Sequence, residues 1–312
     1  MTGVAGYIAP RHLQAIHDTG NRLVAALDPH DSVGILDRYF PEAEFFTESE
    51  RFDRHIEKLR HGAADQRIHY LSVCSPNNLH DAHIRLALRA GADAICEKPI
   101  VLNPWNLDAL QKLEKETGRV VKTVLQLRIH PALIELQQSI GAAPAKSKRD
   151  VVLTYITSRG PWYMNSWKGS DEKSGGVATN IGIHLFDLLI WLFGDVQKIE
   201  IHYSDSRRVG GIFELKDAVV RWFLSIRRED IPPEELAKGK GTFRSITVDG
   251  KEIEFSEGFS DLHTRIYEEI LAGRGFGIND ARPSVELAYH IRNAKVIKPI
   301  GETHPYLKVK GL

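Results

Sequence analysis

Asn180, His184 and Asp187 stand at i, i+4 and i+7 inside a run that is otherwise apolar or small, Ser174 to Phe193. On a helix these three side chains project from one side. An imidazole held in one tautomer by a neighbouring amide and carboxylate can accept a proton near neutral pH, which is what a general base requires. The same pattern also fits a satisfied core histidine with Asp187 as a helix-to-sheet anchor, and the segment alone leaves the two readings even. Its spacing predicts a loop over Ser174–Gly176 running into a helix. Thr179 or Asn180 would cap that helix and Gly194 would stop it.

Ahead of it lies a glycine- and proline-bearing loop, Ser158 to Gly169, holding Trp162, Tyr163 and Trp167 with Arg159 and Lys168. Such a set could stack on a base or sugar and pair with phosphate or carboxylate. It could equally be a loop anchored on the core by its aromatics. Near the start of the chain, Gly3–Leu13 reads as a glycine turn feeding a helix, and Leu23–Asp28 as the next strand. A turn that lets the backbone approach a pyrophosphate, with an acid ending the following strand to bind ribose hydroxyls, is the dinucleotide pattern. The fingerprint is imperfect: its three small-residue positions hold Val4, Gly6 and Ala9. An ordinary strand-turn-helix is the competing reading. Lys98 beside Glu97 at a strand end reads, on its own, as a surface pair.

The elements that must position these groups alternate through the first part of the chain. Strands are predicted at 68–74, 92–96 and 120–126, with helices at 80–90 and 106–117, which implies a parallel sheet with right-handed crossovers. Ligands bind such sheets at the carboxyl ends of the strands. Those ends carry Ser75-Pro76-Asn77 with His80, Glu97-Lys98-Pro99, and Gln126-Leu127-Arg128. The strand expected ahead of the first turn needs about five residues, and only Met1 and Thr2 precede Gly3. That strand therefore reads as clipped, at a cost to the stability of the sheet. Beyond residue 128, strand-like runs at 150–157, 196–203, 211–215, 218–226 and 245–255 follow one another mostly without helices. They predict an α+β domain with a mostly antiparallel sheet, a hairpin at Asp249-Gly250, a mobile loop over 231–241 and closing helices near 263–271 and 284–296.

Composition narrows the class. The 312 residues suit two domains, and hydrophobic and charged contents of 42% and 26% are ordinary for a globular chain. Lys plus Arg and Asp plus Glu both total 41, so neither a nucleic-acid partner nor an acidic disordered tail is expected. No membrane span or charged-then-apolar leader is recognisable, and a cytoplasmic location follows as the expectation. Cys74 and Cys96 read as free thiols. No metal site is expected, since His80 and His83 lie one helical turn apart without further ligands nearby.

Taken together, the small-residue turn, Asp28, Ser75-Pro76-Asn77 with His80, Glu97-Lys98-Pro99 and the Gly-Gly loop leading to His184 and Asp187 resemble the Gfo/Idh/MocA oxidoreductases over nearly the whole chain. The resemblance implies an NAD-binding Rossmann domain over 1–127 and, over 128–312, an α+β domain with an open-faced sheet for substrate binding and oligomerisation. Gly6, Tyr7, Ile8, Asp28, Ser75, Pro76, Asn77, His80, Glu97, Lys98 and Gln126 would then meet the cofactor. Asp28 followed by Pro29 and His30, with no arginine for a 2′-phosphate, favours NAD over NADP.

Within the family, 6–12, 124–128, 153–159, 178–184 and 243–248 are similar to bacterial dehydrogenases of UDP-N-acetyl-2-amino-2-deoxyglucuronate, which act in surface polysaccharide (diacetylated diaminomannuronate) biosynthesis. That likeness implies a UDP-sugar uronate met by Lys98, Arg128, Arg159, Trp162, Tyr163, Lys168, Thr179, Asn180 and His184. It also implies oxidation at C3 and a homodimer or homotetramer. Lys98 and His184 are the catalytic candidates, and sequence leaves open which is the base. It leaves open, too, whether NADH departs or is reoxidised in place by a 2-oxoacid such as 2-oxoglutarate. A dehydrogenase of another sugar or inositol and a non-catalytic NAD-binding regulator are the rival readings.

Overall fold

A computed structural model describes residues 1–142, 147–253, 261–309 and 311. The chain forms two compact units, Met1–His130 with Gly258–Arg282 and Pro131–Glu257 with Pro283–Leu312. The expected boundary at 127/128 thus falls at 130/131. Residues 261–282, expected in the second domain, belong to the first unit.

The first unit runs α1 (Ala9–Asp18), β1 (Ala25–Leu27), α2 (Ile35–Tyr39), β2 (Glu44–Phe46), α3 (Ser49–Arg60), β3 (Tyr70–Val73), α4 (His80–Arg89), β4 (Asp93–Cys96), α5 (Pro104–Thr117) and β5 (Val121–Thr123). β1 pairs with β2, and β3, β4 and β5 pair in order, all parallel. β1 is buried throughout, and β3 and β4 are buried beyond their first residue, as parallel strands covered on both faces are. The two pieces meet on the first residues of the chain: Gly3 N–H bonds Leu27 O at 2.8 Å on one side, and Cys74 N–H bonds Thr2 O at 2.9 Å on the other. Met1–Gly3 therefore hold the place of the strand expected to be clipped, through isolated parallel bridges of Thr2 to Leu27 and Val73. β2 and α3 went unrecognised in the sequence, since α3 buries only Phe52 and Ile56.

The second unit runs α6 (Pro131–Ala142), β6 (Arg149–Thr157), α7 (Pro161–Asn165), α8 (Asp171–Ser174), α9 (Ile183–Phe193), β7 (Val196–Ser204), β8 (Arg208–Leu215), β9 (Ala218–Ser225), α10 (Pro233–Ala237), β10 (Thr242–Val248) and β11 (Lys251–Glu252). The sheet order is β11-β10-β6-β9-β8-β7, antiparallel except for β6 beside β9. Asp249-Gly250 turns β10 into β11 as expected, and residues 254–255 of the expected strand lie outside the described residues. The loop expected over 231–241 contains α10. On one face, α9 sets Phe186 edge-on to Phe213 and Trp222, with centroids 5.7 and 5.3 Å away. On the other, Phe223 stacks on His304 and Tyr306, so residues near the end of the chain cover part of the face expected to be open.

Two helices follow, α11 (Leu262–Leu271) and α12 (Ile278–Asn293), then a last turn, α13 (Pro305–Val309). α11 lays Ile266, Tyr267 and Ile270 against Leu13 and Ile16 of α1, which is why this segment returns to the first unit. Among the described residues, Asp171–Phe193 is long and apolar enough to cross a membrane, but 78% of its most apolar window is buried inside the fold. It is a core helix.

Candidate active site

In the first unit the motif residues gather at the carboxyl ends of the strands. Gly3 turns the chain at φ +78°, and a Cβ there would stand 2.5 Å from the backbone of Cys74 and Ser75. Only glycine tolerates both the conformation and the approach. α1 then begins at Ala9 with Pro10 in its first turn and no side-chain cap. Asp28 ends β1 and accepts the Ala5 N–H on Oδ2 and the His30 N–H on Oδ1, each at 3.0 Å. Its carboxylate thereby closes the glycine turn while retaining lone pairs. Tyr7, between this turn and α1, is 87% exposed.

After β3, the Ser75 hydroxyl meets His83 Nδ1 at 2.8 Å. His80 is enclosed, with Nδ1 at 2.6 Å from Pro99 O and Nε2 at 2.8 Å from Ser75 O. The His80 ring, expected at the cofactor, instead ties together the loops after β3 and β4. Asn77 is buried. Beyond β5, Gln126 keeps a buried Oε1 with no hydrogen-bond partner. Arg128, expected at the substrate, donates to Asp280 O at 3.0 Å and stacks over Phe276.

Glu97 is also turned inward. Its Oε1 accepts from His12 Nε2 at 2.9 Å and from His263 Nε2 at 3.1 Å, and its Oε2 accepts the Lys98 N–H at 3.2 Å. Burial alone would raise this carboxyl's pKa, but the hydrogen bonds from the two histidines hold it well below the ordinary range. His12 is pushed down by burial, partly offset by Glu97. Where the sequence offered no metal cluster, the fold brings one ligating atom each of His12, Glu97 and His263 within 4.8 Å of one another. The sequence reading missed His12 and His263 as partners of Glu97. The available signal was a histidine buried on the apolar face of each of two helices.

A separate cavity of about 220 Å³ in this unit is lined by Met1, Leu23, Ala25, Tyr70, Ser72 and Tyr267. It sits at the amino ends of β1 and β3, the wrong end of such a sheet for the motifs.

In the second unit, consecutive glycines at φ +79° and +72°, Gly175 and Gly176, swing the chain out of α8. Residues Ala178–Gly182 then form a π-helical turn that continues into α9. Neither Thr179 nor Asn180 is a cap, contrary to expectation, because Val177 is already helical. The wide turn interrupts the i, i+4 relation of Asn180 and His184, while His184 and Asp187 keep an i, i+3 relation on α9. π-turns of this kind concentrate at functional sites. Thr179 leaves a buried hydroxyl without a partner. Asn180 donates to the Tyr163 hydroxyl at 2.6 Å, burial raises the pKa of that phenol, and Asp187 is buried. Lys168 lies over the Trp167 ring, 4.2 Å from its centroid, and 5.9 Å from that of Trp162, which is half exposed. Arg159 is exposed. Asn180, Tyr163, Trp162 and Lys168 thus neighbour one another in a chain of contacts, with Tyr163 buried and Trp162 exposed.

A Rossmann-type unit with motifs at its strand ends, followed by a sheet unit carrying a histidine–aspartate helix, defines a class of nicotinamide-dependent oxidoreductase. Residues 1–124 match the NAD-binding Rossmann fold of the Gfo/Idh/MocA oxidoreductase family and residues 150–222 its C-terminal alpha/beta domain; the chain belongs to this family. It is 51% identical to the WlbA (WbpB) dehydrogenase of Thermus thermophilus, whose crystal structure in complex with NAD and UDP-GlcNAcA superposes with a TM-score of 0.94 over 98% of each chain. A second structure of that dehydrogenase holds NAD and alpha-ketoglutarate. Among curated relatives, the inositol 2-dehydrogenase of Rhizobium meliloti is 29% identical over 61% of this chain and 53% of its own length. The D-glucoside 3-dehydrogenase of Escherichia coli is 25% identical over 45% of this chain and 40% of its own. The chain spans about half the length of the curated relatives it matches.

The first unit fits an NAD molecule on its own chemistry: a turn that only glycine permits, a strand-end carboxylate with spare lone pairs, and the orphaned Gln126 Oε1. Gly6, Tyr7, Ile8, Asp28 and the 75–77 loop are the residues that would hold it.

Proposed function

We propose that this chain is a dehydrogenase of UDP-N-acetyl-2-amino-2-deoxyglucuronate that oxidises the sugar's C3 hydroxyl to a ketone. The observation that carries the reading is the 51% identity, over 98% of both chains, to the dehydrogenase crystallised with NAD and UDP-GlcNAcA. The half-exposed Trp162 ring with the Lys168 ammonium 5.9 Å from its centroid supports it, since an exposed aromatic beside a cation suits the base and anionic groups of a nucleotide sugar.

When bound, NAD supplies the hydride acceptor. His184 takes the hydroxyl proton, with Asp187 three residues on along the same helix. Lys98 hydrogen-bonds the same oxygen and positions it; as an amine with three donors it stabilises negative charge developing there. Arg159, Lys168, Thr179 and Asn180 serve the diphosphate and the uronate. General base catalysis contributes about 10²–10⁴-fold, so orientation by the site carries at least as much. The product is the 3-keto sugar, an early intermediate for diaminouronate in surface polysaccharide. The enzyme works in the cytoplasm as a homodimer or homotetramer, and 2-oxoglutarate regenerates NAD by accepting the hydride.

The test is appearance of NADH and of keto sugar when purified protein is given NAD and UDP-N-acetylglucosaminuronate, with and without 2-oxoglutarate. Turnover of this sugar and none of UDP-N-acetylglucosamine is the expected result. Keto sugar formed only with the 2-oxoacid identifies a trapped, recycled cofactor. Turnover of inositol or a simple glucoside instead would replace the substrate assigned here.

A further inference from the structure

Five hydrogen bonds in the first unit run toward one carboxylate. The Ser72 hydroxyl and the Tyr267 hydroxyl lie 2.7 Å apart, Tyr267 and His12 Nδ1 2.8 Å apart, and His12 Nε2 and Glu97 Oε1 2.9 Å apart. His263 Nε2 reaches the same Oε1 at 3.1 Å, and the Lys98 N–H reaches Oε2 at 3.2 Å. An ionised carboxylate only accepts, so both histidines must present Nε2–H to it. His12 then has a bare Nδ1, which the tyrosine O–H must fill, and the serine O–H fills the tyrosine oxygen in turn. Every hydrogen is assigned and every donor has an acceptor. His12 is fully buried and Glu97 is 5% exposed, so a network of this kind is strong when satisfied and costly when broken.

We infer that Glu97 is a positioning residue: anchored by His12 and His263, it fixes the backbone of Lys98 and thereby aims the lysine at its substrate oxygen. The inference deepens the reading of Lys98 given above and rests on it. His80 reinforces the geometry from the other side of the lysine by holding Pro99 O at 2.6 Å. The sheet strand β4 delivers Glu97, α1 delivers His12, and α11, from far along the chain, delivers His263. A displacement of the lysine of the order of 1 Å suffices to cost about 10²-fold in rate.

Three variants test this. Glu97→Gln keeps the shape but brings an NH₂ group either to the histidine donors or to the Lys98 N–H, so one donor faces another. His263→Leu deletes one donor. His263→Gln restores it, because the Gln Nε2 reaches about where the His Nε2 stood.

We expect kcat to fall about 10- to 100-fold in Glu97→Gln and His263→Leu, the size of loss seen when the outer-shell partners of metal-ligating residues are removed. NAD affinity should be unchanged, and His263→Gln should recover most of the rate. Site-resolved labelling of Lys98 by an amine reagent should change in rate in the first two variants and not in the third. That readout needs no turnover, so it stands even where the sugar proves to be a different one. Should His263→Leu fail to fold, the near-isosteric Glu97→Gln decides.

Equal losses in His263→Leu and His263→Gln, unchanged kcat and labelling in Glu97→Gln, or a stoichiometric metal whose removal abolishes activity would each overturn the inference.

Discussion

The Asn180 side-chain amide donates to the Tyr163 hydroxyl at 2.6 Å, joining the π-helical turn ahead of α9 to the aromatic loop. Neither residue's neighbourhood in sequence announces the other. Tyr163→Phe removes the acceptor and leaves the ring, which is 2% exposed. The expected effect is a stability loss of about 1 kcal/mol with a raised KM for the nucleotide sugar and little change in NAD affinity. Thermal melts and steady-state kinetics check both parts, and an unaltered KM would remove Tyr163 from substrate binding.

Lys98→Met deletes the ammonium from a side chain of similar length. Turnover should drop by at least about 10²-fold, while NAD still binds, as read by fluorescence titration. Undiminished turnover would take the lysine out of the mechanism.

Gly3→Ala places a Cβ 2.5 Å from the Cys74 carbonyl at φ +78°. The left-handed conformation alone costs of order 1–3 kcal/mol, and the clash adds to it. A lower melting temperature is expected, by about 2–4 °C per kcal/mol in a domain of 150–250 residues, together with weaker NAD binding, because this turn shapes the dinucleotide site.

Acid should destabilise the protein well before its carboxylates titrate. Burial lowers the pKa of His83 to about 4 and of His304 to about 3, and lowers those of His12 and His80 as well. Below about pH 6.5 the unfolded chain protonates these rings and the folded chain does not. Stability is therefore full above pH 6.5 and is lost as pH falls toward 4, at about 1.4 kcal/mol per pH unit for each such histidine. Glu97, whose folded pKa is depressed, adds its own loss below about 4.5. Melting temperatures between pH 7 and 5 measure the slope. His304→Asn should flatten it by one proton, since Asn Oδ1 can accept the Tyr306 N–H that His304 Nδ1 accepts.

The sequence by itself determined the strand–helix alternation, the placement of Ser75, Lys98 and Gln126 beyond strand ends, and the aromatic and basic loop before α9. Each is a local matter of hydrophobic period, turn residues and chain direction, and local patterns survive folding. Only the tertiary structure decided the rest. α11 returns to the first unit because Ile266, Tyr267 and Ile270 complete a core with Leu13 and Ile16, a contact across some 250 residues that periodicity cannot report. The same return carries His263 to Glu97 and converts a strand-end acid from a ligand candidate into the anchor of Lys98. The π-turn, likewise, lies between paired left-handed glycines and a helix packed on Phe213 and Trp222, and no i, i+4 pattern along Asn180 and His184 announces it. Burial and long-range hydrogen bonding chose among side-chain roles that composition and spacing had left equal.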